Sequence, residues 1–371
     1  MFFGALFLLF KPDIRIILFE NRLNDKKTVN KGSKVMEKEK KGFAYHKTKK
    51  RYVNKFIDGK WQKGKLTKNA DIKLNESACV LQYAQTVFEG LKAYKTEDGS
   101  VVCFRPDLNA ERLNDSCERM VIPKLPEGEF LKAVKEVVKA NVKAIPPYGS
   151  NGSLYLRPYV FGYTPVLGVK PAKEFEFRMF ASPVYSYFSG GAKPITIRIS
   201  DYDRAAPRGT GHIKAGLNYA MSLYQITDAH EKGFDENLYL DSATRTYIEE
   251  TGGANIIFVD KNGTLVTPKS PTILPSITRR SLTYLAEHYL GIKVEERKIA
   301  VSELKDFVEC GLCGTAAVIS PVGKIVNGDK TYEFKTDMQD DGKTITKLYN
   351  LLRNIQLKKV KAPDGWILEI K

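Results

Sequence analysis

The stretch Arg204-Ala-Ala-Pro-Arg-Gly-Thr-Gly-His-Ile-Lys-Ala-Gly-Leu-Asn-Tyr219 places one lysine, Lys214, among Gly209, Gly211 and Gly216. Glycines let the main chain approach a bound group closely, so a loop of this composition can present an amine to a ligand. Lysines held near apolar surface and other cations have lowered pKa values, which favours attack of the amine on a carbonyl and formation of a Schiff base. In a chain this rich in lysine, the alternative is a surface loop without a chemical role.

Two later segments can add polar groups to such a loop. The pair Glu249 and Glu250 leads into a Gly-Gly break followed by an apolar strand, and one of these carboxylates is expected to be buried. Residues Gly311–Val322 form a turn of small residues whose exposed N–H groups can hold an anion.

A helix start after Pro275 is a second candidate for anion binding. The chain changes there from an extended segment to a helix that is predicted to continue to Leu290. The first free N–H groups, from about Ile277 and Thr278, form a cradle for an anion at the positive end of the helix. Ser276 as an ordinary N-cap is compatible with that interpretation.

Upstream, three polar side chains follow or lie in predicted strands. Arg105 comes at a strand exit, where it is either a surface cation or a guanidinium directed at an oxyanion such as phosphate. Tyr155 and Arg157 are two residues apart in a strand and therefore share a face. A phenol and a guanidinium so placed can bind a carboxylate together, although a purely structural pair is the commoner case.

The charge of the chain is concentrated near its beginning. Of the net charge of +16 over 371 residues, residues 1–68 contribute 19 lysines and arginines against 6 acidic residues. The rest of the chain is nearly balanced, which argues against a nucleic-acid or membrane-surface binding protein, because such a protein needs cations spread over its folded surface. Residues 1–50 are predicted to be a basic leader without fold, and we expect translation to begin at Met36.

Five cysteines in a chain of this length do not make a disulfide scaffold, so we expect a cytoplasmic protein. Cys310 and Cys313 have the spacing of a redox or zinc pair. One such pair without a second pair or a nearby histidine is a weak signal, and a loop or core role is favoured. No metal site is predicted.

The predicted elements mix strands and helices, which indicates an α/β (α+β) fold. Asp-Gly turns at Asp58 and Asp98 predict hairpins, and an apolar stripe over Gly128–Ile145 predicts a core helix. The Ser189-Gly190-Gly191 segment is the best boundary between domains. We therefore predict a small domain at residues 51–187, a linker at 188–193 and a larger domain at 194–371 that carries Lys214.

From about Phe56 to the C-terminus the sequence resembles the branched-chain amino acid aminotransferases, which are pyridoxal 5'-phosphate enzymes of fold type IV. The resemblance rests on several sequence blocks that occur in the same order as in that family, and together they are far more specific for the family than any one block. The blocks are Phe88-Glu89-Gly90-Leu91-Lys92-Ala93-Tyr94, Phe104-Arg105-Pro106, Leu154-Tyr155-Leu156-Arg157-Pro158, Lys214-Ala215-Gly216-Leu217-Asn218-Tyr219 and Gly314-Thr315-Ala316-Ala317.

The resemblance implies a role for each candidate near the cofactor. Lys214 would form the Schiff base and move the proton between substrate Cα and cofactor C4′. Glu250 would lie against the pyridine nitrogen of the cofactor and keep that nitrogen protonated. Tyr219 would hydrogen-bond the phenolic oxygen of the cofactor. Arg105, Arg204, Ile277 and Thr278 would hold the phosphate, and the resemblance implies Thr315 as a further cofactor-binding residue.

The resemblance also implies where the substrates bind. N–H groups of Thr315 and Ala316 would meet the substrate carboxylate together with Tyr155, which Arg157 orients. The apolar side chain would lie among Phe88, Tyr187 and, from the neighbouring subunit of a homodimer, Tyr83 and Val169. Leucine, isoleucine and valine would then give their amino group reversibly to 2-oxoglutarate, which yields the branched-chain 2-oxo acid and glutamate.

Two positions depart from the family pattern. Gly253 stands where several members have threonine, so a hydroxyl contact is lost. The redox cysteines of mammalian members fall on Ala317 and Ser320, so Cys310 and Cys313 do not inherit that role. A D-amino acid aminotransferase or an aminodeoxychorismate lyase is the alternative within the fold, but neither is expected to carry the blocks around Phe88 and Tyr155.

Overall fold

The computed structural model describes residues 42–185 and 193–371, and the strands of these residues form two sheets. In the first sheet the strand order is β18-β6-β5-β7-β8-β1-β2, with β3 paired to β1 and β4 paired to β7. Its strands are β1 (Arg51–Ile57), β2 (Lys60–Trp61), β3 (Lys65–Thr67), β4 (Thr86–Phe88), β5 (Leu91–Lys95), β6 (Val101–Phe104), β7 (Ser153–Gly162), β8 (Phe175–Val184) and β18 (Ile367–Glu369).

In the second sheet the order is β11-β10-β9-β16-β15-β12-β13-β14, with β17 paired to β16 and a further pairing of β11 with β12. Parallel pairs join β9 to β10 and to β16, and β13 to β14. Its strands are β9 (Ile195–Ile199), β10 (Glu236–Leu240), β11 (Ile248–Thr251), β12 (Asn255–Asp260), β13 (Leu265–Pro268), β14 (Val294–Arg297), β15 (Phe307–Gly314), β16 (Val318–Asn327) and β17 (Lys330–Glu333).

Helices cover and connect the sheets. They are α1 (Cys79–Tyr83), α2 (Pro106–Arg119), α3 (Glu129–Ala140), α4 (Gly216–Ala220), α5 (Leu223–Glu231), α6 (Ile277–Leu290) and α7 (Thr344–Gln356), with 3-10 turns at Val142–Ala144 and Val301–Asp306. Among the described residues no helix has the length and apolarity needed to cross a membrane.

The predicted hairpins are confirmed. Asp58 and Gly59 both have positive φ, 51° and 73°, and they join β1 to β2. The turn between β5 and β6 has φ of 81° at Gly99. Positive φ at such positions is what an Asp-Gly pair supplies at low steric cost, so the local sequence is sufficient to place these turns.

The apolar stripe of α3 forms part of the first core, with one correction. Val134, Val137 and Val138 are buried, as predicted, but Val142 is half exposed. The reason is that α3 ends at Ala140, and Val142 begins a 3-10 turn that no longer follows the helical period.

Helix α6 begins and ends where the sequence predicts. The Ser276 hydroxyl accepts a hydrogen bond from the N–H of Arg279, and Gly291 ends the helix with φ of 64°. These are the usual side-chain N-cap and left-handed C-terminal glycine. By contrast, the single helix predicted over Leu217–Lys232 is two helices, α4 and α5.

The mixed α/β fold is confirmed, whereas the domain boundaries stay predictions. The expected linker 188–193 falls almost wholly outside the described residues, and the described residues belong to one compact unit. The last strand, β18, returns to the first sheet and pairs with β6, a connection that the boundary at residue 194 does not anticipate.

Candidate active site

The backbone around Lys214 is anchored to the first sheet and to α2. The N–H of Lys214 donates to the Ser116 hydroxyl at 3.0 Å, and its carbonyl accepts from the N–H of Phe88 at 3.0 Å. The next residue, Ala215, makes a β-bridge with Val87. The lysine is thus held by elements that are far away in sequence, which fixes the direction in which its side chain leaves the loop.

The amine of Lys214 lies among aromatic groups. Its Nζ donates to the Tyr219 hydroxyl at 2.7 Å and lies 4.8 Å from the centre of the Phe88 ring. The Phe88 and Tyr219 rings meet edge to face with centres 4.8 Å apart. The structure therefore brings together three predicted site residues around one half-buried amine.

The glycines and Asn218 shape the loop that carries Lys214. A Cβ atom on Gly211 would lie 2.0 Å from the Thr272 carbonyl oxygen, so this position requires glycine because another backbone approaches closely. The Asn218 amide donates to the carbonyls of Thr210 and Ile213 at 2.7 and 2.9 Å. Asn218 therefore holds the loop closed and is not available to a ligand.

Both carboxylates of the predicted pair, Glu249 and Glu250, are buried, where the sequence predicts only one. Glu250 is the one that faces this loop. Its Oε1 accepts from Arg204 Nη2 and from the Leu274 N–H, each at 2.8 Å, and its Oε2 accepts from the Asn255 amide at 2.6 Å. Burial raises the pKa of Glu250, and the Arg204 guanidinium opposes that shift. The carboxylate is fixed in position by three partners from separate segments.

Arg204 makes contacts different from those expected of a phosphate ligand. Its guanidinium pairs with Glu250 and also donates to the carbonyls of Gly211 and Thr272. These partners occupy the Nη2 side, and the buried Nε has no partner among the described residues. Arg204 therefore supports the Glu250 carboxylate, and its contact with a phosphate, implied by the resemblance, stays a prediction.

Arg105 lies against the first turn of α6. Its Nη1 donates to the Ser281 hydroxyl at 2.9 Å, and that hydroxyl donates to the carbonyl of Ile277 at 2.8 Å. The guanidinium is 4.3 Å above the Trp366 ring, and its buried Nε has no partner among the described residues. Arg105 also has φ of 45°, a left-handed conformation that is uncommon outside glycine.

The first N–H groups of α6, from Ile277 and Thr278, and the Arg105 guanidinium make up one group of donors, which we call the phosphate cup. Ile277 and Thr278 begin the helix, where no carbonyl of an earlier turn can accept from their N–H groups. Together with an unpaired Nε on Arg105, these donors form a site that suits phosphate. Burial lowers the pKa of Arg105, which remains a cation.

Tyr155 and Arg157 share a face of β7, as predicted. Arg157 Nη2 donates to the Tyr155 hydroxyl at 3.0 Å, and the guanidinium lies 4.9 Å from the centre of the Phe88 ring. Phe88 is therefore close to both the Arg157 guanidinium and the Lys214 amine. The Tyr155 hydroxyl is held by a neighbour on its own strand.

The Tyr155 hydroxyl depends on the absence of a side chain at Gly90. A Cβ atom at Gly90 would lie 2.0 Å from that hydroxyl oxygen. We expect Gly90→Ala to raise KM for a carboxylate substrate on the order of 10- to 100-fold, because a displacement of about 1 Å in a positioning group has that cost. Steady-state kinetics with the substrates proposed below check this, with Gly42→Ala, in open space and without a positive φ, as a control for the loss of glycine.

The predicted carboxylate turn, Thr315–Ala317, joins β15 to β16 in the second sheet. Thr315 and Ala316 are half-buried, so their N–H groups can be reached by a ligand. The amine of Lys92, from the first sheet, donates to the carbonyl of Ala316 at 2.6 Å. The turn therefore lies beside strand β5 of the first sheet, which pairs with the strand that carries Tyr155.

The residues expected to reach a partner subunit lie on one surface. The Tyr83 hydroxyl donates to the carbonyl of Leu167, and two residues later Val169 is 88% exposed. Tyr187, predicted to line the substrate pocket, lies outside the described residues.

Cys310 and Cys313 have core positions. Both lie in β15, both are free, and their side chains belong to two different apolar clusters. Burial raises the pKa of Cys313 to about 12, so its thiol is unreactive. The described part of the chain contains no cluster of three potential metal ligands from His, Cys, Asp and Glu.

Sequence reasoning missed several supporting residues. Asn255 lies directly opposite Glu250 in the pairing of β11 with β12, and a four-residue turn flanked by these two could have indicated the contact. Glu89 and Arg112 form a buried ion pair at 2.7 Å, in which Arg112 also reaches the carbonyl of Pro275 at 3.0 Å. Burial alone would raise the pKa of Glu89, but Arg112, Lys214 and Asn109 together outweigh burial and lower it.

Proteins similar to this chain are named aminotransferases. The family model described as amino-transferase class IV matches residues 86–325. The chain is 46% identical to the branched-chain-amino-acid aminotransferase of Helicobacter pylori, over 89% of this chain and 96% of that one, and 45% identical to that of Haemophilus influenzae, over 89% and 97%. The branched-chain amino acid aminotransferase structure from Escherichia coli superposes with a TM-score of 0.72 at 27% identity, covering 88% of this chain and 100% of that chain. The chain therefore belongs to the class IV aminotransferase family, and its relatives there are branched-chain-amino-acid aminotransferases.

Proposed function

We propose that this protein is a branched-chain-amino-acid aminotransferase that uses pyridoxal 5'-phosphate to transfer the amino group of leucine, isoleucine or valine reversibly to 2-oxoglutarate. The observation that carries the proposal is the half-buried amine of Lys214, hydrogen-bonded to Tyr219 and next to Phe88. The relatives described above have this activity in their names, which supports the same substrates here.

The residues present fit the proposed cofactor. A phosphate matches the unpaired Nε of Arg105 and the free N–H groups of Ile277 and Thr278 at the start of α6. A cationic ring nitrogen matches the buried Glu250 carboxylate. Thr315 remains a candidate for a further phosphate contact.

When bound, the cofactor supplies the electron sink that makes the substrate Cα proton acidic. Lys214 Nζ would move that proton, and its hydrogen bond to Tyr219 orients the amine for the task. Glu250 is kept in place by Arg204, the Leu274 N–H and Asn255, so its charge would be available at one position without reorganisation.

The substrate carboxylate would bind between the two sheets. Tyr155, aligned by Arg157, contributes the hydroxyl from β7, and the turn after β15 contributes the N–H groups of Thr315 and Ala316. Because groups of both sheets are needed, the cofactor and substrate would lie at the junction of the two proposed domains, 51–187 and 194–371.

The substrate side chain would lie in an apolar pocket with Phe88 and Tyr187. We propose a homodimer in which Tyr83 and Val169 of each chain approach the other chain's site. Leu167 and Val169 are 93% and 88% exposed in the single chain, and two apolar side chains exposed this close together support a contact with a partner. Such a pocket rejects polar side chains by leaving their hydrogen-bonding groups unpaired, but separates leucine, isoleucine and valine poorly.

A cytoplasmic location is also proposed. All five cysteines are free and buried, which suits a reducing compartment.

The experiment that tests the function is a panel of amino donors with 2-oxoglutarate, assayed on purified protein that shows a cofactor band above the aromatic absorption. We expect turnover with L-leucine, L-isoleucine and L-valine, within about 10-fold of one another, and at least about 100-fold less with L-serine and D-alanine. Preference for D-alanine would favour a D-amino acid aminotransferase instead, and a protein without the band would contradict the proposal.

A further inference from the structure

Lys92 connects the two places where the substrate carboxylate is proposed to bind. It lies in β5 and pairs directly with Tyr155 of β7 in the first sheet. Side chains that pair in this way project from the same face of a sheet. The Lys92 amine then crosses to the second sheet, where it donates to the carbonyl of Ala316 at 2.6 Å.

The turn that Lys92 contacts needs external support. Only three residues, Thr315–Ala317, connect β15 to β16, and Val318 closes the turn with φ of 67°. A positive φ is costly for a β-branched residue, and such conformations persist only where surrounding contacts enforce them. Within the described ranges, Lys92 donates the one side-chain hydrogen bond made to Thr315–Ala317.

Lys92 is not an ordinary surface lysine surrounded by solvent. The Lys92 side chain is half-buried, and burial followed by the nearby Arg353 lowers its pKa to about 7. Near neutral pH both the ammonium and the amine are present, and both forms can donate an N–H to the Ala316 carbonyl. The hydrogen bond is therefore kept over this range, and the ammonium adds positive charge near the turn.

We infer that Lys92 is a positioning residue for the substrate carboxylate: it aligns the N–H groups of Thr315 and Ala316 with the Tyr155 hydroxyl. The inference rests on the proposed function, since it assigns a role within the same substrate site. In a turn of three residues the orientation of one peptide constrains the next, so holding the Ala316 carbonyl also fixes the N–H groups before it. Lys92 thus acts on the substrate carboxylate through the turn Thr315–Ala317.

The test compares Lys92→Met with Lys92→Arg and with Lys95→Met, an exposed lysine of the same strand. Binding to the cofactor-loaded enzyme is measured for 4-methylpentanoate, which has the carboxylate and side chain of leucine but no amine, and the unfolding temperature Tm is measured for each variant. We expect Lys92→Met to weaken 4-methylpentanoate binding about 10-fold, because the N–H groups of the turn lose their alignment, and to leave Tm within about 4 °C. Lys92→Arg keeps a cation and donor and should recover most of the affinity, and Lys95→Met should match the wild type.

Steady-state kinetics give the second readout. KM for leucine and for 2-oxoglutarate should rise about 10-fold in Lys92→Met, with kcat changed by less than about 3-fold, because both substrates share the carboxylate site. Weaker acid binding together with a Tm lowered by more than about 10 °C would indicate a general structural defect and overturn the inference, as would unchanged acid binding in Lys92→Met. If the wild type neither binds 4-methylpentanoate nor turns over leucine, the proposed function itself fails.

Discussion

Replacing Lys214 by alanine is expected to abolish amino transfer and to leave the fold intact. The amine is the one group placed to move the substrate proton in the described site, between Phe88 and Tyr219. Loss of a proton-transfer group that also binds the cofactor covalently is expected to reduce kcat by at least about 10⁴-fold. The measurement is the initial rate with leucine and 2-oxoglutarate, together with the visible band of the bound cofactor.

The fold should survive because the anchors of this segment belong to the backbone. The hydrogen bonds of the Lys214 main chain to Ser116 and Phe88 do not involve the amine. Thermal unfolding of Lys214→Ala without cofactor should therefore lie within a few degrees of the wild type. The matched control is Lys232→Ala, which removes an exposed lysine just beyond α5 and should leave full activity. Near-normal turnover in Lys214→Ala would refute the assignment of the catalytic lysine.

Local sequence predicts those features whose physical cause is local. The Asp-Gly turns, the Ser276 N-cap and the shared face of Tyr155 and Arg157 depend on residues within four positions of one another. Turn chemistry, capping and strand periodicity are sufficient for these. The resemblance to a family then proposed which of these local features belong to one site.

The sequence does not predict contacts that depend on tertiary placement. The hydrogen bond from Lys92 to Ala316 joins residues 224 positions apart, and nothing near either residue indicates the other. Gly211 is similar: its loop position suggested an unusual backbone angle, but the structure shows a close approach of the Thr272 carbonyl at an ordinary angle. Such requirements arise from a second segment and appear only when both segments are placed.

Arg204 has a contact that the resemblance does not indicate. Its implied role at the phosphate stays a prediction, and the structure adds an ion pair of its guanidinium with Glu250 at 2.8 Å in a buried environment. A buried carboxylate without a cation carries a large desolvation cost, and Arg204 offsets that cost. The neighbourhood of Glu250 is therefore arranged to keep one negative charge in a fixed place.

Glu250→Gln is expected to lower kcat on the order of 10²- to 10³-fold while cofactor affinity changes by less than about 10-fold. Glutamine keeps the shape and can still accept a hydrogen bond from the Leu274 N–H, but it lacks the charge that holds a proton on the cofactor's ring nitrogen. The phosphate cup at Arg105 and α6 is unchanged, so binding is largely preserved. Turnover with leucine and fluorescence titration of the cofactor measure the two quantities separately.

Two controls separate this electronic role from a structural one. Glu249→Gln alters an adjacent, equally buried carboxylate whose partners are the hydroxyls of Ser270 and Thr272, and it should retain most activity. Removing Glu250 alone leaves the Arg204 cation buried without its partner, which costs about 3–5 kcal/mol of stability. The double variant Arg204→Met with Glu250→Gln removes that unpaired charge and should regain stability. If turnover of the double variant recovers together with its stability, the Glu250 carboxylate has only a structural role. If turnover stays low in a stable protein, the charge at Glu250 is what the reaction requires.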